Sequence, residues 1–85
     1  MKLAYTDSAM NTFLSLDKTI QKRVKKYMDE VQKLDNPRAR GHALTGQLSG
    51  LWRYRVGDWR VICQIKDTEL IILVVELGHR RNIYR

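Results

Sequence analysis

The sequence predicts an α+β fold of order βααβββ, with a two-helix hairpin packed on a mostly antiparallel four-stranded sheet. Three observations carry this. Residues 9–34 hold apolar side chains at helical spacing, whereas residues 51–77 show the two-residue alternation of strands. Two turn signals, Gly57-Asp58 and Asp67-Thr68, cut that second half into three strands. With 85 residues there is room for one core, so residues 1–85 form a single domain.

Lys2–Tyr5 is a short β-prone opening. Thr6 or Asp7 can cap a first helix that carries Ala9, Met10, Phe13 and Leu14 on one side. Asp17 caps a longer helix whose stripe is Ile20, Val24, Tyr27, Met28, Val31 and Leu34. Asn36-Pro37 ends it, because a residue before proline avoids the helical region. Residues 38–50 form a loop containing Gly41, Gly46 and Gly50. The strands that follow are 51–56, Trp59–Lys66 and 69–77, with Lys66 expected opposite Glu69.

Counting through both turns sorts the strand side chains into two faces. Trp52, Tyr54, Val56, Trp59, Val61, Cys63, Ile65, Leu70, Ile72 and Val74 should face the helices. Glu76 falls on that face too, which is awkward for a carboxylate. Arg53, Arg55, Arg60, Ile62, Gln64, Ile71, Leu73 and Val75 occupy the other. With Gly57 first in a type II′ turn, Arg55 sits directly opposite Arg60, and Arg53 lies two residues along. Like charges so placed destabilise a sheet by up to about 1 kcal/mol. Planar guanidiniums gathered against that repulsion are suited to holding phosphate.

The formal charge of +7 favours a polyanionic partner, nucleic acid or an acidic protein. No apolar run is long enough to span a bilayer and no signal peptide opens the chain, so a cytoplasmic location and no membrane partner are expected. Lys18, Lys22, Lys25, Lys26 and Lys33 decorate the second helix and read as its solvated face. Cys63 lies alone in an apolar strand and reads as a small buried hydrophobe. One cysteine and two separated histidines imply no metal site, and nothing implies a cofactor.

The run Ala-Leu-Thr-Gly-Gln-Leu-Ser-Gly-Leu-Trp-Arg-Tyr-Arg-Val (43–56), then Trp59-Arg60-Val61-Ile62 and Gly78-His79-Arg80-Arg81-Asn82-Ile83-Tyr84, resembles the RelE branch of the RelE/ParE superfamily of bacterial type II toxins. The resemblance covers essentially the whole chain. It implies a ribosome-dependent endoribonuclease (an mRNA interferase) that cuts mRNA in the A site, inhibits translation and is silenced by a cognate antitoxin. By position it makes Arg53, Arg55, Arg60 and Arg80 the basic residues of the active site and Tyr84 its C-terminal aromatic. Some members have Lys where this chain has Arg53 and Arg55, and some have a carboxylate base in the loop, where residues 38–50 have neither Asp nor Glu. Arginine does not transfer protons near neutral pH, so those two positions are electrostatic here.

Cutting RNA without a metal needs a base for the 2′-OH, positive charge for the phosphorane and an acid for the leaving 5′-oxygen. The arginines suit the charge, and His79 is the natural proton-transfer candidate, with Tyr84 second. His42 reads as a loop residue with no evident partner, and Trp52 and Trp59 as core. The apolar residues beside the arginines should receive an acidic, amphipathic antitoxin segment. The alternative is a ParE-like toxin that binds DNA gyrase without cutting RNA, since fold alone does not separate the two.

Overall fold

The computed structural model describes residues 1–79. Strand β1 (Lys2–Tyr5) leads into helix α1 (Asp7–Ser15) and helix α2 (Lys18–Lys33). A two-residue strand β2 (His42–Ala43) follows, flanked by 3-10 turns at Pro37–Ala39 and Gly46–Leu48. Strands β3 (Trp52–Val56), β4 (Trp59–Lys66) and β5 (Ile71–His79) complete a five-stranded sheet of order β1-β5-β4-β3-β2. Among the described residues only β1 runs parallel, alongside β5. The sheet thus has one strand more than the sequence predicts, because two residues of the 38–50 loop pair with β3.

Both helices start where their caps place them. Thr6 Oγ1 accepts from the Ala9 N–H at 3.1 Å, and Asp17 Oδ1 accepts from the Ile20 N–H at 3.0 Å. The stripe of α2 buries Val24, Met28 and Val31 against Tyr54 and Val56 of β3, Val61 and Cys63 of β4, and Ile72, Val74 and Leu77 of β5. Ala9 from α1 completes this core, with Tyr5 and Phe13 packed at its edge, their rings 5.7 Å apart. Fully burying one such aliphatic side chain contributes roughly 1.5–3 kcal/mol, so the face that carries them is fixed firmly.

The β3–β4 hairpin has the predicted register: Val56 pairs with Trp59, and Arg55 with Arg60. Gly57 has φ +60, while Asp58 is not in the left-handed region, which makes the turn type II′. The second hairpin departs from expectation. Lys66 pairs with Ile71 rather than Glu69, and Asp67, Thr68, Glu69 and Leu70 make a wider turn. Lys66 Nζ still reaches Glu69 Oε2 at 3.8 Å within it. Leu70, expected in the core, is 61% exposed at φ +57.

A bulge in β5 corrects the face assignment beyond it. Cys63 pairs with Val74 but the preceding Ile62 pairs with Glu76, so Val75 is an inserted residue. From there the alternation changes phase. Leu77 enters the core and Glu76 goes to the opposite, exposed side, which removes the buried carboxylate the uninterrupted count implied.

The loop before β3 is pinned from several directions. Tyr54 Oη donates to the Pro37 carbonyl at 2.6 Å, and Trp52 Nε1 donates to the Arg40 carbonyl at 2.7 Å. Arg38 makes a bidentate pair with Asp67, at 2.9 and 3.0 Å, and lies 6.0 Å from the Trp52 ring centre. Arg40 bonds Glu30 at 3.0 Å and stacks over Tyr27. Gly41, at φ +82, fits against this packing so tightly that an added Cβ would meet the Arg53 carbonyl and the Trp52 indole nitrogen. Gly41→Ala should therefore destabilise the protein by about 2 kcal/mol or more, through backbone strain and displacement of β2. Thermal unfolding should show a fall in Tm on the order of 10 °C; a Tm unchanged within a degree or two would mean β2 is not held by this contact.

Candidate functional site

The sheet face turned away from the helices collects Arg53, Arg55 and Arg60 of the predicted site. Across the strands, one row runs His42, Arg53, Ile62, Glu76, and the next runs Arg55, Arg60, Gly78. Directly opposed side chains in such rows have Cβ atoms roughly 5 Å apart. Arg53, Arg55 and Arg60 are therefore brought together as expected, and Gly78, having no side chain, adds none beside Arg60 from β5.

Their surroundings differ. Arg55 is exposed, and its Nε donates to the carbonyl of Gly57 at 3.3 Å within its own turn. Arg53 and Arg60 are half-buried. Ile62, between them, is completely buried although it is not part of the core beneath the helices. The guanidiniums thus flank an apolar floor, which strengthens their interaction with an anion relative to open water. Arg60 Nε and Nη1 are buried and have no hydrogen-bond acceptor among the described residues. A buried donor left so costs about 1–3 kcal/mol, more for a charged one, and an anionic oxygen would recover it.

His79 lies elsewhere. It pairs with Trp59, and the two rings meet edge-on at 5.6 Å and 89°. Side chains alternate along a strand, so this pair occupies the face opposite Arg60 and Gly78. The bulge is the cause, since it resets which β5 residues share a face with the arginines. The sequence-predicted Arg80 and Tyr84 lie outside the described residues.

His42 is the residue whose position sequence reasoning missed. The β2–β3 pairing sets it opposite Arg53, exposed, at the margin of the arginine face. A two-residue strand is too short to show periodicity, and Gly41 beside it was the available signal. Glu76 also joins this face, beside Ile62. Cys63 takes no part: it is buried in the core, and burial pushes its thiol up to about 12, so it stays protonated. Burial likewise raises Tyr54, whose hydroxyl is occupied by Pro37. The lysines of α2 point to solvent, where Lys25 pairs with Asp29 at 2.8 Å. No described helix is long and apolar enough to cross a membrane.

Comparison with known proteins gives consistent matches. The family described as the ParE toxin of the type II toxin–antitoxin system, parDE, matches residues 3–84. Among solved structures, the RelBE2 toxin–antitoxin complex from Mycobacterium tuberculosis superposes with a TM-score of 0.83 at 21% identity, covering 95% of this chain and 92% of that one. The archaeal RelE–RelB complex from Pyrococcus horikoshii gives 0.73 at 25% identity, covering 95% and 96%. The isolated E. coli RelE toxin gives 0.75 at 20% identity, covering 92% and 82%. A search of curated protein sequences finds no significant match.

The unsatisfied donors make a stability prediction. Arg60→Met keeps the aliphatic stem over Ile62 while removing the buried charge and the repulsion with Arg55. Urea unfolding should show a variant at least as stable as the parent, with a gain of up to about 1 kcal/mol. A loss beyond about 1 kcal/mol would make Arg60 a structural residue instead.

Proposed function

The chain belongs to the ParE toxin family of type II toxin–antitoxin systems, within the RelE/ParE superfamily, and from that premise we propose that it is a metal-independent endoribonuclease acting on mRNA in the ribosomal A site. The observation that carries this reading is the convergence of Arg53, Arg55 and Arg60 on one sheet face, with two donors of Arg60 held ready for an acceptor. Three guanidiniums around an apolar floor suit a phosphate that gains negative charge as it becomes a pentavalent phosphorane. Stabilising such charge with preorganised donors is usually the largest catalytic contribution. The reaction would be attack of the ribose 2′-oxygen on the adjacent phosphorus, giving a 2′,3′-cyclic phosphate and a 5′-hydroxyl. Arg80 and Tyr84 belong to the same proposal, as a further phosphate contact and an aromatic that stacks on a base. His79, turned to Trp59, is not given the base role.

A second reading is a ParE-like toxin that binds DNA gyrase without cutting RNA, kept because the matching family is described as the ParE toxin of parDE and fold alone does not separate the two. The two separate in a direct assay: ribosomes carrying a defined mRNA for one, gyrase-catalysed supercoiling for the other. We expect new mRNA 5′ ends in the A site and unaffected supercoiling. Arg60→Ala should reduce cleavage about 100-fold or more, the scale of losing one transition-state donor. Cleavage at the parental rate would remove Arg60 from the mechanism, and inhibited supercoiling with intact mRNA would replace the nuclease reading.

The same face suits a proteinaceous inhibitor. Ile71, Leu73 and Val75 are half-exposed on or beside it, continuous with the arginines. An acidic, amphipathic antitoxin segment would cover the apolar residues and pair its carboxylates with the guanidiniums. RelE is seen with RelB in the Pyrococcus horikoshii complex, which supports a partner of this kind. Co-expression with the adjacent open reading frame should yield a complex that survives about 1 M salt, where screening leaves only short-range contacts. Dissociation by salt alone would mean that the apolar part of the face is not used.

A further inference from the structure

We infer that His42 is the general base of the cleavage reaction, an inference that rests on the nuclease reading above. Arginine stays protonated near neutral pH, so the three guanidiniums bind and stabilise but take no proton. The base must therefore come from another group on their face. Among the described residues, the groups on that face able to take a proton are His42 and Glu76. His42 is the one paired directly with Arg53, at a Cβ separation of roughly 5 Å. Glu76 lies across the buried Ile62 from Arg53, a full strand farther away.

Position and chemistry agree. The exposed His42 stands on β2 at the rim of the face on which Arg53 and Arg60 would hold the phosphate. His42 is held there by local backbone: Gly41 at φ +82 packs under the Arg53 carbonyl, and the two-residue β2 ladder sets the register. The groups facing it are Arg53 opposite, Arg55 two residues along β3, and Arg60 and Glu76 on the strands beyond.

The imidazole takes the 2′-hydroxyl proton as O2′ bonds to phosphorus. The P–O5′ bond then breaks, and the departing 5′-oxygen takes a proton from solvent. The imidazolium returns its proton to solvent after release.

The experiment is single-turnover cleavage of ribosome-bound mRNA between about pH 5 and 8, the interval in which imidazole titrates, for the parent, His42→Ala, His42→Gln and His79→Ala. Ribosome binding and Tm are measured in parallel. The parent rate should fall as pH drops, because a protonated imidazole accepts no proton. Both His42 variants should be slower by about 100-fold or more near pH 7.5, the usual contribution of a general base. They should also lose the acidic limb while keeping parental Tm and ribosome binding. A His42→Ala protein within about threefold of the parent, or one retaining the acidic limb, overturns the inference and leaves the nuclease reading intact. Loss of that limb in His79→Ala alone overturns it as well, and returns the role to His79. A parent protein that leaves mRNA uncut defeats the nuclease reading, and the inference falls with it.

Discussion

The register of the β3–β4 hairpin governs nearly everything else in this molecule. A two-residue turn with Gly57 at φ +60 fixes Val56 against Trp59 and, behind them, Arg55 against Arg60. Shifting that pairing by one residue would turn one strand over, sending either Arg53 and Arg55 under the helices with Tyr54 into water, or Arg60 under the helices with Val61 into water. The energies make the choice one-sided. Tyr54, Val56, Val61 and Cys63 are all buried in this hairpin, and burying each large side chain contributes about 1.5–3 kcal/mol. Opposed arginines cost up to roughly 1 kcal/mol. The core therefore holds the arginine cluster together against its own repulsion.

The bulge at Val75 is the second constraint, and it acts on the arginine face as well as on stability. One inserted residue moves Glu76 outward, Leu77 into the core and Gly78 beside Arg60, and sets His79 against Trp59. Without it, Glu76 would be a buried carboxylate among aliphatic neighbours, a far greater penalty than a local break in the ladder. The insertion thus satisfies the core and sets a residue without a side chain beside Arg60 in one step. It also decides which histidine shares a face with the arginines.

How legible these features are in the sequence follows from their size. Both helices, their Thr6 and Asp17 caps, and the Arg53, Arg55, Arg60 cluster rest on many residues or on a turn with defined chemistry, and the structure has them. The bulge leaves no periodic trace, because a single extra residue is invisible to a two-residue count. Its one symptom is the misplaced Glu76. Strand β2 is two residues long, below the length at which alternation exists, so His42 reads as loop until its partner is seen. The turn after β4 fails for a third reason. Asp67-Thr68 looks like a two-residue connection, but the bidentate hold of Arg38 on Asp67 accompanies a wider turn that leaves Leu70 outside. That long-range pair links residues 29 positions apart and has no local signature.

The face that results divides labour in a way its side chains require. Guanidiniums present donors in a fixed fork and keep their charge, so they are suited to the phosphorane and unsuited to proton transfer. The core thiol is protonated and sealed off, and the Tyr54 hydroxyl is committed to Pro37, so neither competes as a nucleophile or base. In the proposed reaction, proton transfer falls to a group that can approach the phosphate without being neutralised by pairing. An exposed imidazole on an edge strand, opposite one arginine and anchored by Gly41, meets that requirement. On that proposal, the ties that Arg38, Arg40, Trp52 and Tyr54 make to the loop before β3 would serve to position the base, although the loop's own residues bury little. A base placed 1 Å too far loses much of its effect, so those contacts matter less as stability than as aim.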